Sequence, residues 1–124
     1  MNKQPISTEK APAAIGPYSQ GMSLGDLVFS SGQIPYTPEG TVSEDIAEQT
    51  KQSLENVKAI LEAAGSSMDK VIKCTVFIMD MGQFGAINEV YAQYFSAPYP
   101  ARSCVQVACL PKGVGVEIEA IAYK

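Results

Sequence analysis

The sequence predicts one α+β domain in which two helices cover one face of a mixed sheet, in the order β-β-β-α-β-α-β-β. Its 124 residues are 46% hydrophobic and 18% charged, which suits a globular chain with a single core spanning residues 1–124. Two segments repeat apolar residues at spacings of three and four, as amphipathic helices do. Several shorter apolar runs, rich in β-branched residues, lie between Gly and Pro, which is typical of strands.

The first three strands are expected near the N-terminus. A short strand is predicted over residues 4–8, followed by a loop rich in Pro and Gly. Segments 18–24 and 27–34 flank the dipeptide Gly25-Asp26, a pattern that favours a hairpin with a two-residue turn.

The first helix is predicted over residues 44–64. Ser43 precedes it and is the expected N-cap, whereas Gly65 suits the left-handed position that follows a helix. The stripe expected to face the core comprises Ile46, Thr50, Leu54, Val57, Leu61 and Ala64.

A buried strand and a second helix follow. The strand is predicted over 71–79, and Asp80 with Gln83 resembles a capping box that opens a helix extending to about residue 95. The strand residues expected on one face are Ile72, Cys74, Val76 and Ile78. The helix stripe is expected to comprise Phe84, Ile87, Tyr91 and Phe95.

Two strands, over 102–110 and 114–123, complete the predicted sheet. Two helices can cover only one of its faces, and the second face is still apolar. The residues expected on this second face are Val71, Phe77, Val105, Val107 and Ile121. We therefore expect the chain to self-associate through that face, so that sites can form between subunits.

Composition excludes several classes of function. The net charge of −4, without a cluster of Lys or Arg, disfavours a nucleic-acid partner. No segment has the ~20 apolar residues of a membrane span, and the N-terminal residues lack a signal-peptide apolar run. Cys74, Cys104 and Cys109 form no C-x-x-C pair, which favours a reducing, cytoplasmic location over a disulfide framework or zinc site. The absence of histidine excludes the Ser-His-Asp triad, the Cys-His pair and the HExxH zinc site.

Charged residues near the C-terminus are the first candidates for chemistry. Arg102 begins a largely uncharged strand, and a guanidinium there can hold a carboxylate by two parallel hydrogen bonds. The alternative is a structural ion pair between Arg102 and Glu117 or Glu119. These two glutamates share one strand face among apolar residues, which indicates acid–base work, pairing, or simply an exposed edge strand.

A second candidate group lies in and after the first hairpin: Tyr18, Ser30, Ser31, Gly32 and Gln33. Gly32 lets a ligand approach the backbone closely and the hydroxyl groups can donate hydrogen bonds, although a polar turn explains them equally well. Neither serine has a base to activate it as a nucleophile. Cys104 also lacks an imidazole partner, although Arg102 nearby would lower its pKa.

Several separated motifs, which together cover nearly the whole chain, resemble those of the Rid family, the reactive intermediate (imine or enamine) deaminases. The matching segments are 11–21 (APAAIGPYSQG), 30–35 (SSGQIP), 52–61 (QSLENVKAIL), 75–77 (TVF), 100–105 (PARSCV), 110–111 (LP) and 116–120 (VEIEA). The resemblance implies a chorismate-mutase-like fold, assembled as a homotrimer with three clefts between subunits. It also implies hydrolysis of 2-iminopropanoate and 2-iminobutanoate, released by pyridoxal-phosphate enzymes, to 2-keto acids and ammonia.

The resemblance further implies a site without cofactor or metal. Carried over by position, Arg102 would bind the substrate carboxylate, and Glu117 would position the attacking water and move protons. The other implied contacts are the side chains of Tyr18, Ser31 and Asn88 and the backbone of Gly32 and Cys104. Two alternatives stay open: a regulatory module that binds small carboxylates, and a ribonuclease or translation inhibitor, which the acidic balance and the absent histidine disfavour.

Overall fold

The computed structural model describes all 124 residues and contains six strands and two α-helices. In chain order they are β1 (Gln4–Ile6), β2 (Gly21–Leu24), β3 (Leu27–Ser30), α1 (Ile46–Ala63), β4 (Val71–Ile78), α2 (Phe84–Ala92), β5 (Ala101–Gln106) and β6 (Val116–Tyr123). Short 3₁₀ turns cover Met68–Lys70, Met81–Gln83 and Pro111–Gly113. The predicted α+β class and order of elements are confirmed.

All six strands form one mixed sheet in the order β1-β2-β3-β6-β4-β5. Every neighbouring pair is antiparallel except β4 and β5, which are parallel and joined through α2. The connection through α1 likewise links two strands of the same direction, β3 and β4, with β6 inserted between them. Such crossovers need a helix on a sheet face, and here both helices lie on the same face.

The first hairpin turns at Gly25-Asp26 as predicted, with Gly25 at φ +57°. Its strands are shorter than predicted, because the chain leaves the ladder after Ser30 and returns only at Gln33, which bridges Ile118. The Ser30 side chain accepts a hydrogen bond from the Ala120 N–H at 3.0 Å. This side-chain bond satisfies a β6 donor where the neighbouring strand is interrupted.

Helix α1 begins at a different cap from the predicted one and ends as predicted. Asp45, not Ser43, is the N-cap, and its carboxylate accepts from the Glu48 N–H at 3.0 Å. Ser43 instead accepts from the Asp45 N–H. At the other end Gly65 adopts φ +84°, and the N–H groups of Gly65 and Ser66 bond the carbonyls of Glu62 and Leu61, a Schellman motif.

Helix α2 is shorter than the predicted helix, which extended to residue 95. Asp80 accepts from the Gly82 N–H at 2.8 Å and so caps the preceding 3₁₀ turn, whereas Gln83 makes no side-chain cap. The predicted capping box is therefore wrong. The two C-terminal strands are also shorter than predicted, since residues 107–110 leave the sheet and β6 begins at Val116.

The core lies between the helices and one sheet face, which we call the covered face. Its buried residues include Leu54, Val57, Leu61, Cys74, Val76, Ile78, Ile87, Tyr91, Val116, Ile118 and Ala122. Strand β4 departs from the predicted alternation, because its register against β6 shifts between Val71 and Lys73. This irregularity buries Val71 in the core and leaves Ile72 45% exposed, the reverse of the prediction for both residues.

The second sheet face, which we call the open face, carries apolar side chains without a covering helix. They include Leu27, Phe29, Phe77, Val105 and Ile121, of which Phe29 and Val105 are 38% and 43% exposed. These side chains form an apolar strip along several neighbouring strands. Neither helix has the length and hydrophobicity that crossing a bilayer requires.

Candidate active site

Arg102 lies on the edge strand β5 and points to the covered side of the sheet, toward α2. Its Cα pairs with that of the buried Cys74 on β4, so the two residues share a face. The Nη1 group donates a hydrogen bond to Oδ1 of Asn88 at 2.6 Å. Arg102 and Asn88, two candidate residues that lie 14 positions apart in the sequence, are therefore in direct contact.

Two aromatic rings of α2 also contact the Arg102 guanidinium. Its central carbon lies 4.8 Å from the centroid of the Tyr91 ring and 5.4 Å from that of Phe84. Both distances fall within the range of cation–π attraction, which strengthens when water is excluded. Sequence reasoning assigned Phe84 and Tyr91 to the core stripe. The sequence did contain one sign of this contact: Phe84 and Tyr91 lie four and three residues from Asn88, so all three share one helix face.

Glu117 lies on the opposite face of the sheet from Arg102. It pairs with Phe77 on β4 and shares the open face with Glu119, as the alternation predicted. Burial first, and repulsion from Glu119 second, raise the pKa of Glu117 above that of an ordinary glutamate. Because Arg102 faces α2, the alternative of an ion pair between Arg102 and these glutamates is not formed within the chain.

The Ser31-Gly32 segment lies against the Glu117 side chain. An added Cβ on Gly32 would collide with the Glu117 carboxylate, whose carboxyl carbon would be only 2.9 Å away. The Ser31 hydroxyl donates to the Ser19 carbonyl, and the Ser31 N–H donates to the Gln20 carbonyl at 2.8 Å. These bonds also hold the segment that carries Tyr18 next to Ser31, and Tyr18 is 54% exposed.

Cys104 lies on the same face of the sheet as Arg102, opposite to the face of Glu117. It pairs with Val76 on the covered face, two residues beyond Arg102, and is half-buried. Arg102 lowers the pKa of the Cys104 thiol, as expected, but burial raises it by more, so the pKa lies above that of an ordinary thiol. A thiol of raised pKa is poorly suited to act as a nucleophile.

The predicted site residues thus form two groups in the chain. We call Asn88, Arg102 and Cys104 the cationic half-site, and Tyr18, Ser31, Gly32 and Glu117 the acidic half-site. Strand β4 lies between β5 and β6, so Arg102 and Glu117 are roughly 10 Å apart across the sheet. Their partners on β4 are three residues apart, which adds roughly 10 Å along the strands, and the two side chains lie on opposite faces. A small imino acid cannot contact both groups of the same chain.

Other candidate chemistry is sparse. No three Cys, Asp or Glu side chains come together in a group that would hold a metal ion. Cys109 is exposed and Cys74 is buried in the core.

Comparison with known proteins shows one family. A family model described as Endoribonuclease L-PSP matches residues 8–124. The chain is 55% identical over 123 residues to a 2-iminobutanoate/2-iminopropanoate deaminase of Salmonella typhimurium, covering 96% of each protein. Its fold matches Escherichia coli TdcF with bound serine (TM-score 0.93, 54% identity, 98% of each chain) and RidA from an Antarctic Psychrobacter (TM-score 0.94, 49% identity, 98% of this chain and 99% of that one). The chain therefore belongs to the endoribonuclease L-PSP family, that of the reactive intermediate deaminases.

Proposed function

We propose that this protein hydrolyses 2-imino acids, such as 2-iminobutanoate and 2-iminopropanoate, to 2-keto acids and ammonia. The observation that carries the proposal is the Arg102 guanidinium, held by Asn88 and two aromatic rings, beside an otherwise apolar core. Relatives at 54–55% identity are named for this reaction, which supports it.

Arg102 supplies the anchor for the substrate carboxylate. Of its N–H groups, only Nη1 donates within the chain, to Asn88, so the edge formed by Nε and Nη2 is free. That edge matches the two oxygens of a carboxylate, which it binds by two parallel hydrogen bonds. The anchor fixes C2 of the imino acid at a set distance from the protein, which is the orientation that a reacting carbon needs.

Glu117 supplies the proton transfers. A protonated imine is already electrophilic, so water can add to C2 once a carboxylate accepts one of its protons. The new C–O bond gives a carbinolamine, and Glu117 returns the proton to nitrogen. The C–N bond then breaks and ammonia leaves, while Glu117 accepts the hydroxyl proton to give the keto acid and passes that proton to the departing ammonia as ammonium. A glutamate of raised pKa is suited to both accepting and returning a proton.

We further propose that the working site forms between subunits of a homotrimer. The separation of the two half-sites on opposite faces supports this arrangement, since one chain cannot present Arg102 and Glu117 to one small substrate. The apolar open face supplies a surface for the association. Three free cysteines favour a reducing compartment, and we place the enzyme in the cytoplasm.

The test couples a threonine dehydratase, or an amino-acid oxidase, to the purified protein and times the release of keto acid. We expect the protein to accelerate imine loss, and Arg102→Ala and Glu117→Gln each to abolish that acceleration. Mixing the two inactive variants and letting the subunits exchange should restore activity. With random mixing, about one quarter of the sites receive Arg102 from one subunit and Glu117 from its neighbour.

The outcomes separate the alternatives. Mixed variants that stay inactive despite exchange would mean that each site uses both residues of one subunit. Wild-type protein that binds a keto acid but does not accelerate imine loss would be a binding module. Cleavage of RNA that Glu117→Gln abolishes, without imine hydrolysis, would support the endoribonuclease description of the family model.

A further inference from the structure

Three residues on one face of α2 contact Arg102, and two of them have no assigned role. Phe84, Asn88 and Tyr91 follow one another at spacings of four and three, so they form one ridge along the helix. Asn88 accepts a hydrogen bond from one end of the guanidinium, whose central carbon lies over both rings. We propose that Phe84 and Tyr91 are positioning residues, an aromatic bracket that holds Arg102 ready to bind a carboxylate.

Arg102 needs such support because of where it lies. Strand β5 is at the edge of the sheet, and the residues on either side of Arg102 are exposed. An unrestrained arginine on such a strand samples many rotamers and loses them when it binds an anion. A bracket that selects one rotamer transfers this cost from binding to folding, which raises affinity for the substrate.

Tyr91 is the more deeply buried member of the bracket. It is 5% exposed, and its ring lies 4.8 Å from that of Phe95. Its buried hydroxyl donates to no oxygen or nitrogen acceptor. The contribution of Tyr91 to Arg102 therefore comes from the face of its ring. Phe84 is half-buried and lies against the same guanidinium from the first turn of α2.

The bracket also shapes which edge of Arg102 is presented. The guanidinium carbon lies over both rings and Nη1 donates to Asn88, which leaves the Nε–Nη2 edge without a partner in the chain. A planar carboxylate next to the reacting carbon, as in a 2-imino or 2-keto acid, fits this edge. The bracket thus deepens the proposed function and rests on it.

The test is Tyr91→Leu compared with Tyr91→Phe. Binding of 2-oxobutanoate is measured by calorimetry, and KM and kcat are measured in the coupled imine assay. Loss of the ring should weaken keto-acid binding and raise KM by roughly 3- to 30-fold, the range of a partly desolvated cation–π contact, with kcat changed by less than about twofold. The phenylalanine variant keeps the ring and should restore both values to near wild type.

Two further variants keep the test decisive. Phe84→Leu removes the less buried ring and should raise KM in the same way, even where Tyr91→Leu fails to fold. Tyr94→Leu is the matched control, because the Tyr94 hydroxyl bonds Glu55 at 2.7 Å and the residue has no contact with Arg102. Its KM should not change.

Each result has a distinct meaning. Normal keto-acid binding and KM in both leucine variants would overturn the bracket and leave the proposed function intact. Equal losses in Tyr91→Phe and Tyr91→Leu would assign the effect to the hydroxyl and overturn the role of the ring. A wild-type protein that neither binds 2-oxobutanoate nor hydrolyses imines would remove the proposed function and the bracket together.

Discussion

Replacing Gly32 by alanine separates the chemistry of Glu117 from the stability of the fold. The new Cβ would lie 2.9 Å from the Glu117 carboxyl carbon, whereas nonbonded carbons prefer about 3.5–4.0 Å. The Glu117 Oε2 atom would lie closer still, so the carboxylate must move by roughly 1 Å or more. The atoms in the way belong to the end of a flexible side chain, and the Gly32 backbone is not in the left-handed region. The fold should thus tolerate the change.

We expect Gly32→Ala to lower kcat/KM in the imine assay by about 100-fold, the usual cost of a 1 Å misplacement of a reacting group. The midpoint of thermal unfolding should stay within a few degrees of wild type. Gly85→Ala is the matched control. Gly85 lies exposed in α2 with no atom within 4 Å of an added Cβ, so this variant should keep full activity and gain roughly 0.5–1 kcal/mol of stability.

A fully active Gly32→Ala variant would refute the reasoning, because Glu117 would then work equally well from a displaced position. A variant that loses activity only together with the proposed trimer would also contradict it, since the effect would be structural. The expected pattern is an intact assembly with a selective loss of turnover.

Two other predictions test the acidic half-site. Glu119→Gln removes the charge that helps raise the pKa of Glu117, so that pKa should fall. The acid limb of the pH profile of kcat/KM should then move to lower pH. An unmoved limb would mean that another group titrates there. Asn56→Ala should lower the free energy of unfolding by roughly 2–4 kcal/mol, because the fully buried Asn56 donates to the carbonyls of Ile34 and Tyr36 at 3.1 and 2.8 Å. The measurement is a urea titration at fixed protein concentration. An unchanged midpoint would mean that water replaces the Asn56 side chain as the donor to these carbonyls.

The fold was predictable where local chemistry decides it. The spacing of apolar residues located both helices. Gly65 ends α1 in the left-handed conformation, which glycine adopts without steric cost. The errors arose where a nonlocal contact decides. The register of β4 against β6 determines which of Val71 and Ile72 is buried, and no pattern within the strand records that shift.

The arrangement of the candidate site residues was only partly predictable from the sequence. Alternation placed Glu117 and Glu119 on one face, but the face of Arg102 relative to them follows from the pairing of β5 with β4, which is nonlocal. The aromatic contacts of Arg102 were hidden for a different reason. Phe84 and Tyr91 serve as apolar surface and as cation binders at once, and helical spacing alone indicates only the first role.

The opposite placement of Arg102 and Glu117 has a consequence for catalysis. On one face, at hydrogen-bonding distance, the two would form an ion pair that lowers the pKa of Glu117 and occupies the edge of Arg102 that a substrate needs. Instead Asn88 accepts a hydrogen bond from Nη1 alone, and burial together with repulsion from Glu119 raises the pKa of Glu117. Each chain thus keeps both groups from neutralising each other. In the proposed trimer, activity would then depend on a second subunit, and the substrate carboxylate, not Glu117, should be the partner of Arg102.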